Sequence, residues 1–274
     1  MKHIEINIWK ACNNRCRFCM SSRPIKDDLL LVPIDILRKT LSRYIDEGYD
    51  SVWFLWWDIS IHPNMLEIIS YAKEIWFQKI QIITNAMIFE DKSKASDIIN
   101  AWVDRVNISI HSHDPEVEDF LTQIPGWLQR KLKAIQNFND LYSKKILSSP
   151  ISINIVVNKQ NYKNLKKTCY FFYKYNSISD IRCNFVWPEF SLEEYVDDIL
   201  LSYTDFLPSF KEVVLLALKY NIRITFDTVP PCIFTKVFWY ENWSKLLDRF
   251  LGEQFDFINT IDVPWMWEKF QWKD

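Results

Sequence analysis

Strand-like and helix-like runs alternate along this chain of 274 residues, and that alternation limits its fold more than any other feature. Apolar or alternating runs read as strands at His3–Ile8, Ser51–Leu55, Lys79–Ile83, Arg105–Ile110, Ile151–Val157 and Ile181–Val186. Helical stretches fall between and after them, at Pro33–Glu47, Met65–Ile75, Lys92–Ala101, Pro125–Ser143 and Tyr162–Tyr175. Regular alternation favours parallel strands joined by helical crossovers. Six units predict an α/β fold, a partial, open (β/α)6 TIM-like barrel. A further helix, Ser209–Tyr220, leads to a strand at Ile222–Phe226. No Gly-, Ser- or Pro-rich linker, internal repeat or low-complexity tract interrupts the sequence. The simplest organisation is a core domain over residues 1–190, with a C-terminal extension over residues 191–274 packing on the barrel.

Composition adds boundaries. Hydrophobic residues at 49% are ample for a core. A net charge of −2 with no basic run argues against a nucleic-acid partner. No signal-peptide pattern and no long apolar run mark secretion or a membrane span. Six cysteines in a chain this long do not make a disulfide scaffold.

Three of those cysteines fall within eight residues, as Cys12-Asn13-Asn14-Arg15-Cys16-Arg17-Phe18-Cys19. They follow the alternation Ile4, Ile6, Ile8, so they occupy the loop at the C-terminal end of the first strand, where α/β folds place their chemistry. Structural zinc takes four protein ligands, and no fourth Cys or His lies nearby. A [4Fe–4S] cluster held by three thiolates keeps one iron open for a small chelating molecule. Ligand thiols must stay reduced, which implies a cytoplasmic location. A zinc loop and a redox-cysteine loop are the alternatives.

The spacing C-x3-C-x2-C, with Phe18 as the aromatic before the last cysteine, resembles the signature of the radical S-adenosylmethionine (SAM) superfamily. That resemblance implies a [4Fe–4S] cluster on Cys12, Cys16 and Cys19, with SAM chelating the fourth iron. It also implies one-electron cleavage of SAM to a 5′-deoxyadenosyl radical that abstracts hydrogen from a substrate. The resemblance continues in chain order over roughly residues 3–190. Phe54-Leu55-Trp56-Trp57-Asp58, trailing into His62-Pro63-Asn64, is similar to the family's Gly-Gly-Glu-Pro stretch after strand two. There the glycines let backbone approach SAM, and the acidic residue receives its amino group. Asp58 holds the acidic place, and Trp56 and Trp57 depart from the pattern. Thr84-Asn85-Ala86 is similar to the Thr-Asn-Gly turn after strand three. Ser109 in strand four matches a SAM-contacting serine, and Asn154 in strand five matches a polar position near the ribose or carboxylate.

The departure at 56 and 57 belongs to a wider oddity. The chain has 3 Gly and 13 Trp, against roughly 19 glycines expected at average usage near 7%. Trp76 and Trp102 each follow a helical stretch, where the chain commonly turns left-handed and glycine is favoured. Trp127 follows Pro125-Gly126 in a turn. Trp9, Trp53, Trp56, Trp57, Trp76, Trp102, Trp127, Trp239 and Trp265 read as glycines of a lineage that decodes UGA as glycine. An unusually aromatic protein is the alternative.

His111 and His113 flank Ser112 after strand four and could share a face as a metal pair or proton relay; ordinary polar residues at the barrel mouth are the plainer reading. His62 belongs to the turn after Asp58. Cys169 reads as core, Cys183 lies in strand six, and Cys232 is a loop residue that meets substrate or the barrel mouth in the alternative reading, with no further cysteine after it to build a second cluster. The expected activity is a radical SAM modification of a peptide or small molecule, supplied with electrons by a donor such as a flavodoxin or ferredoxin. The alternative is a catalytically inactive iron–sulfur or zinc-binding relative serving in electron transfer or scaffolding.

Overall fold

The computed structural model describes residues 2–8, 12–19, 32–55, 58–186, 194–237, 249–250 and 259–262. In chain order the elements are β1 (His3–Asn7), α1 (Ile34–Asp46), β2 (Ser51–Leu55), α2 (Met65–Glu74), β3 (Lys79–Thr84), α3 (Lys92–Asn100) and β4 (Arg105–Ser109). They continue as α4 (Pro115–Thr122), α5 (Trp127–Ser143), β5 (Ile151–Val157), α6 (Leu165–Tyr173), β6 (Ile178–Phe185), α7 (Val196–Ile199), α8 (Tyr203–Tyr220), β7 (Arg223–Asp227), α9 (Pro231–Val237) and β8 (Asn259–Asp262). The strands form one sheet in the order β7-β6-β5-β4-β3-β2-β1-β8. Every pairing in it is parallel. From β1 to β7 sequence neighbours are spatial neighbours, as short helical crossovers require. The six expected strands are present. β7 continues the sheet beyond β6, and β8 joins β1 at the other edge.

Alternation sorts the side chains. Ile4, Ile6, Val52, Phe54, Ile80, Ile82, Val106 and Ile108 are buried in one core with the helix residues Leu37, Leu41, Ile68, Ile69 and Ile98. The intervening positions, among them Glu5, Trp53, Gln81, Arg105, Asn107, Asn154, Asp180 and Arg182, face the other way. Across that second face the Arg182 guanidinium lies 5.0 Å from the centre of the Trp53 ring. Three strands separate β6 from β2 in the sheet, so a flat sheet would set them about 19 Å apart at ~4.8 Å per strand. The contact therefore reports a curled sheet, a partial barrel with a polar interior. Arg105 of β4 also pairs with the buried Asp180 of β6 inside it.

Helix ends bear on the tryptophan question. After α1, Gly48 is left-handed (φ 84°); its N–H donates to Ile45 O, and the next N–H, of Tyr49, donates to Tyr44 O. This is a Schellman closure. Trp76 (φ 80°) and Trp102 (φ 74°) close α2 and α3 in the same way, through Trp76 N to Lys73 O with Phe77 N to Ala72 O, and Trp102 N to Ile99 O with Val103 N to Ile98 O. Both indoles stand in solvent, at 83% and 61% exposure. Trp127 differs: the left-handed residue there is Gly126 (φ 73°), and Trp127 is buried in the first turn of α5. Trp53 is a buried strand residue of β2. Trp9, Trp56, Trp57, Trp239 and Trp265 lie outside the described residues.

Several elements differ from expectation: α7, α9 and β8 had no counterpart in the sequence reading, and Cys232, read as a loop residue, lies in the first turn of α9. α4 lies in a stretch to which the sequence reading assigned no element; Asp114 caps it by accepting from Glu116 N, and Pro115 takes its first position. α8 begins at Tyr203 rather than Ser209, because Ser202 caps it and Pro208 sits inside the helix. β6 starts at Ile178, three residues early, since Asp180 is held in the interior by Arg105.

Candidate functional site: the cysteine loop and the strand ends around it

The loop that follows β1 carries Cys12, Cys16 and Cys19, each partly buried and free of disulfides. The end of α4 holds that loop in place. A helix leaves its last carbonyls without internal donors. Here Arg17 N donates to Leu121 O (2.9 Å), Arg15 N to Thr122 O (3.3 Å) and Arg17 Nε to Phe120 O (2.9 Å). Gln123, left-handed just past the helix, returns a bond from Nε2 to Arg15 O (2.6 Å). The Arg17 guanidinium also lies over the rings of Phe120 and Tyr195. Its charge at a helix C-terminus is favourable as well. Phe18 is buried edge-on against His111, with ring centres 4.5 Å apart.

The thiols receive polar contacts. Asn14 N approaches Cys12 Sγ at 3.4 Å, Asn14 Nδ2 approaches Cys16 Sγ at 3.5 Å and Asn85 Nδ2 approaches Cys12 Sγ at 3.9 Å. Burial pushes the Cys12 thiol up to about 12, and the charges of Asp58 and Cys19 add to it. Burial also raises the Cys16 thiol well above its ordinary value, with Cys19 and Cys12 contributing. The three sulfurs therefore feel one another, and each additional thiolate is costly unless positive charge arrives with it. Bound metal supplies that charge and deprotonates its thiols. Among the described residues no three His, Cys, Asp or Glu side chains are arranged to hold one metal ion. A four-iron cluster takes each thiolate on a separate iron, so its ligands do not have to meet at a point. Three mutually interacting thiols on one clamped loop fit such a cluster with one iron left unligated by protein.

Facing the loop are the ends of β2 and β3. Asp58, fully buried, follows β2 and uses both oxygens: Oδ1 accepts from Ser60 N (2.9 Å) and Thr84 Oγ1 (2.8 Å), and Oδ2 from Asn85 N (3.1 Å). Burial raises its pKa, while those bonds pull the other way. Asn85 then reaches across, donating from Nδ2 to Asn13 Oδ1 at 2.5 Å. Ala86 holds the left-handed position (φ 64°) at which the matching family turn has glycine. Cys12, Asp58, Thr84 and Asn85 are thus joined as one hydrogen-bonded unit. Ser109 and Asn154 stand side by side in the β4–β5 register on the barrel interior, with Asn154 Oδ1 accepting from Asn184 Nδ2 at 2.6 Å. Trp56 and Trp57 lie outside the described residues.

The two histidines part company. His111 Nδ1 accepts from Val156 N (3.1 Å), whereas His113 Nδ1 meets Thr168 Oγ1 (2.9 Å) and its ring tilts against Phe171. Each ring is held by a different neighbour. His62 Nδ1 accepts from Asn64 N (3.0 Å), as a turn residue would. Sequence reasoning gave no role to Asn13, Asn14, Arg17, Glu118 or Lys131. The first three were legible, since any loop that gathers buried thiols needs donors close by; the last two, on separate helices, had no local signal.

A family model described as the radical SAM superfamily matches residues 6–172. A probable GTP 3′,8-cyclase of Sulfolobus acidocaldarius is 27% identical over 165 residues, covering 60% of this chain and 50% of that protein. The chain thus spans about half the length of the curated relatives it matches. Among solved structures, Streptococcus suis SuiB bound to S-adenosylmethionine superposes with a TM-score of 0.70 at 18% identity, over 95% of this chain and 58% of that one. The structure of anSMEcpe with bound AdoMet and a peptide gives 0.64 at 15%, over 82% and 63%. With the cysteine loop at the mouth of a partial parallel barrel, and a family model spanning more than half its length, this chain belongs to the radical SAM superfamily.

Proposed function

We propose that this chain is a radical SAM enzyme whose [4Fe–4S] cluster is held by Cys12, Cys16 and Cys19 and whose SAM lies across the strand ends beyond it. The observation that carries this reading is the docking of the cysteine loop beside Asp58, Thr84 and Asn85 as one bonded unit. The superfamily's cofactors are a [4Fe–4S] cluster and SAM. When bound, they supply one-electron cleavage of SAM and a carbon radical that takes hydrogen from substrate.

The chain's own residues do the rest. Asn14 and Asn85 offer hydrogen bonds to sulfur and shield the thiolates from water. Asp58 is the acidic residue that would receive the ammonium group of SAM; Thr84 and Asn85 hold its carboxylate rigid. Phe18 closes the loop against His111. Ser109 and Asn154 offer polar atoms toward the ribose or carboxylate of SAM. The polar interior, with Arg182 and Asp227 3.7 Å apart, suits a polar substrate. A peptide is favoured over other small molecules because SuiB is described bound to its precursor peptide SuiA. The reading further includes a flavodoxin- or ferredoxin-like electron donor, a cytoplasmic setting and residues 191–274 as an extension of the 1–190 core. Among the described residues no helix is long and apolar enough to cross a membrane.

The test is anaerobic reconstitution with iron and sulfide, followed by reduction in the presence of SAM. About four irons per chain and formation of 5′-deoxyadenosine are expected. Zinc without visible charge-transfer absorbance, or a full cluster that leaves SAM intact, would overturn it. The second outcome would favour the inactive relative, a reading that Trp56 and Trp57 support because they stand in the sequence where the family's motif has two glycines.

A further inference from the structure

Two arginine–aspartate pairs stand inside the curled sheet, and they differ. Arg105 of β4 and Asp180 of β6 are bonded directly, and Ser179 Oγ donates to the same Asp180 oxygen at 2.6 Å. Arg182 of β6 and Asp227, the last residue of β7, stop at 3.7 Å between Nε and Oδ2, beyond hydrogen-bond length. The Arg182 guanidinium reaches instead across the interior and lies over the Trp53 ring, 5.0 Å from its centre. Among the described residues its terminal nitrogens donate to no protein acceptor. The side chain is 16% exposed, so the fork is accessible yet largely out of water. A charge so placed is costly until it is paired and hydrogen-bonded.

The wall beside Arg182 carries further unused donors. Thr225 of β7 is its partner in the strand register, and Ser152 of β5 is the partner of Asp180, two residues before it. Both are more than nine-tenths buried, and neither Thr225 Oγ1 nor Ser152 Oγ has a hydrogen-bond partner among the described residues. Register partners point to the same side of a sheet, so both hydroxyls face the interior with Arg182. Buried polar groups are normally satisfied. A guanidinium fork and two hydroxyls on one wall, all lacking acceptors, make a set of donors suited to an anion. On its other side Arg182 has Asn154 as register partner, the residue matched to a position near the ribose or carboxylate of SAM. An anion held at Arg182 therefore lies next to the reacting end of the barrel.

The surroundings also select the anion. Arginine binds carboxylates and phosphates alike through two parallel hydrogen bonds. Asp227 beside Nε opposes each extra negative charge on the ligand, so a monoanion suits this position better than a dianion. We propose that Arg182 anchors a carboxylate of the substrate, with Asp227 facing its Nε edge and the Thr225 hydroxyl beside it. The carboxylate belongs to an acidic side chain of a peptide or to a free organic acid. Arg182 is then a specificity-determining residue; that its ligand is the substrate rests on the function proposed above.

The test is nuclear magnetic resonance of the reconstituted, SAM-bound chain carrying isotope-labelled arginine, with the Arg182 Nε–H signal identified by its loss in Arg182→Gln. The probes are N-acetylglutamate α-amide, N-acetylglycine, the uncharged N-acetylglutamine amide and inorganic phosphate. Both carboxylates should shift the Arg182 signal saturably, and the uncharged amide should need a concentration about tenfold higher or more. Tighter binding of the first probe supports a peptide side chain as the source, and tighter binding of the second supports a free acid. Asp227→Asn should tighten carboxylate binding about threefold or more, because a like charge beside the ligand is removed. An ion pair serving structure alone would not give that gain. An Arg182 signal unmoved by both carboxylates, or moved by phosphate at a lower concentration than by either, would overturn the proposal. A shift on adding SAM that the carboxylates cannot change would give Arg182 to SAM and overturn it as well. Should Arg182→Gln not fold, equal carboxylate affinity in Asp227→Asn and the parent chain would overturn it equally. Carboxylate binding at Arg182 in a chain that cannot cleave SAM would refute the function proposed above while supporting the carboxylate site.

Discussion

Glycine and alanine at positions 76 and 102 should not be equivalent, and the difference isolates what the fold asks of these residues. Both tryptophans hold φ near 75–80° in Schellman closures that Gly48 makes after α1. A left-handed backbone costs a residue with a Cβ about 1–2 kcal/mol. Glycine escapes that cost but gains freedom in the unfolded chain worth about 0.4–1 kcal/mol. The balance favours glycine over alanine by about 0.5–1 kcal/mol at each site. Comparison with tryptophan itself is less clean. The Trp76 indole is 83% exposed, so it covers about 40 Å² of the ~250 Å² a tryptophan can bury, at most about 1 kcal/mol. Trp102 covers more and has Lys73 Nζ 5.6 Å from its ring centre. The indole and backbone contributions nearly cancel at 76, and the indole wins at 102. Trp76→Gly, Trp76→Ala, Trp102→Gly and Trp102→Ala would be unfolded in urea, with Gly48→Ala as reference. A Cβ built at Gly48 meets nothing within 4 Å, so that substitution reads the backbone cost alone. Alanine matching glycine at 76 and 102, while Gly48→Ala loses stability, would refute the claim that these sites call for glycine.

The other predictions concern the site. Cys16→Ala should abolish stable cluster assembly, read as iron per chain and visible absorbance, because two thiolates cannot hold what three do. Asp58→Ala should lower stability by about 3 kcal/mol or more in urea, since it strands the buried donors of Ser60, Thr84 and Asn85 at about 1–3 kcal/mol each; a loss below 1 kcal/mol would show that water replaces the carboxylate. Burial lowers His62 and His111 to about 4, below the ~6.5 of an unfolded chain, so the unfolded state binds protons first. Their stabilising effect is complete above pH ~6.5 and is lost as pH falls toward ~4, by at most about 3 kcal/mol for each. His62→Gln should flatten the dependence of melting temperature on pH in that window, and an unchanged slope would count against it.

Much of the scaffold could be read from pattern alone. Ser51–Leu55 and Ile151–Val157 are strands with the expected ends, because one face of each is apolar throughout. The polar half of every strand was harder. Asn107, Asp180 and Arg182 look like surface residues until the sheet curls and encloses them, and curling is a property of the whole sheet. α4 was legible in principle, since Asp114-Pro115 is a cap followed by a first-turn proline, yet the sequence reading assigned no element there. Glu118 and Lys131 offered no signal, since each alone is an ordinary helical charge and only helix packing brings them together.

The site residues Asp58, Thr84 and Asn85 show a different kind of gap between pattern and structure. The resemblance matched Asp58 and the Thr84-Asn85-Ala86 turn to two separate motifs. In the structure Thr84 and Asn85 spend a hydroxyl and a backbone N–H on Asp58, and the Asn85 amide goes to Asn13 and Cys12. The carboxylate thereby ties the end of β2 to the end of β3, and through Asn85 to the cysteine loop. Groups joined in one network do not contribute additively. Removing Thr84's hydroxyl in a chain that already lacks Asp58 should therefore cost much less than removing it from the intact chain. The same reasoning explains why an acidic residue one methylene shorter than Glu suits this chain: its short reach lets Asp58 bond to its own turn at Ser60 and to β3 together.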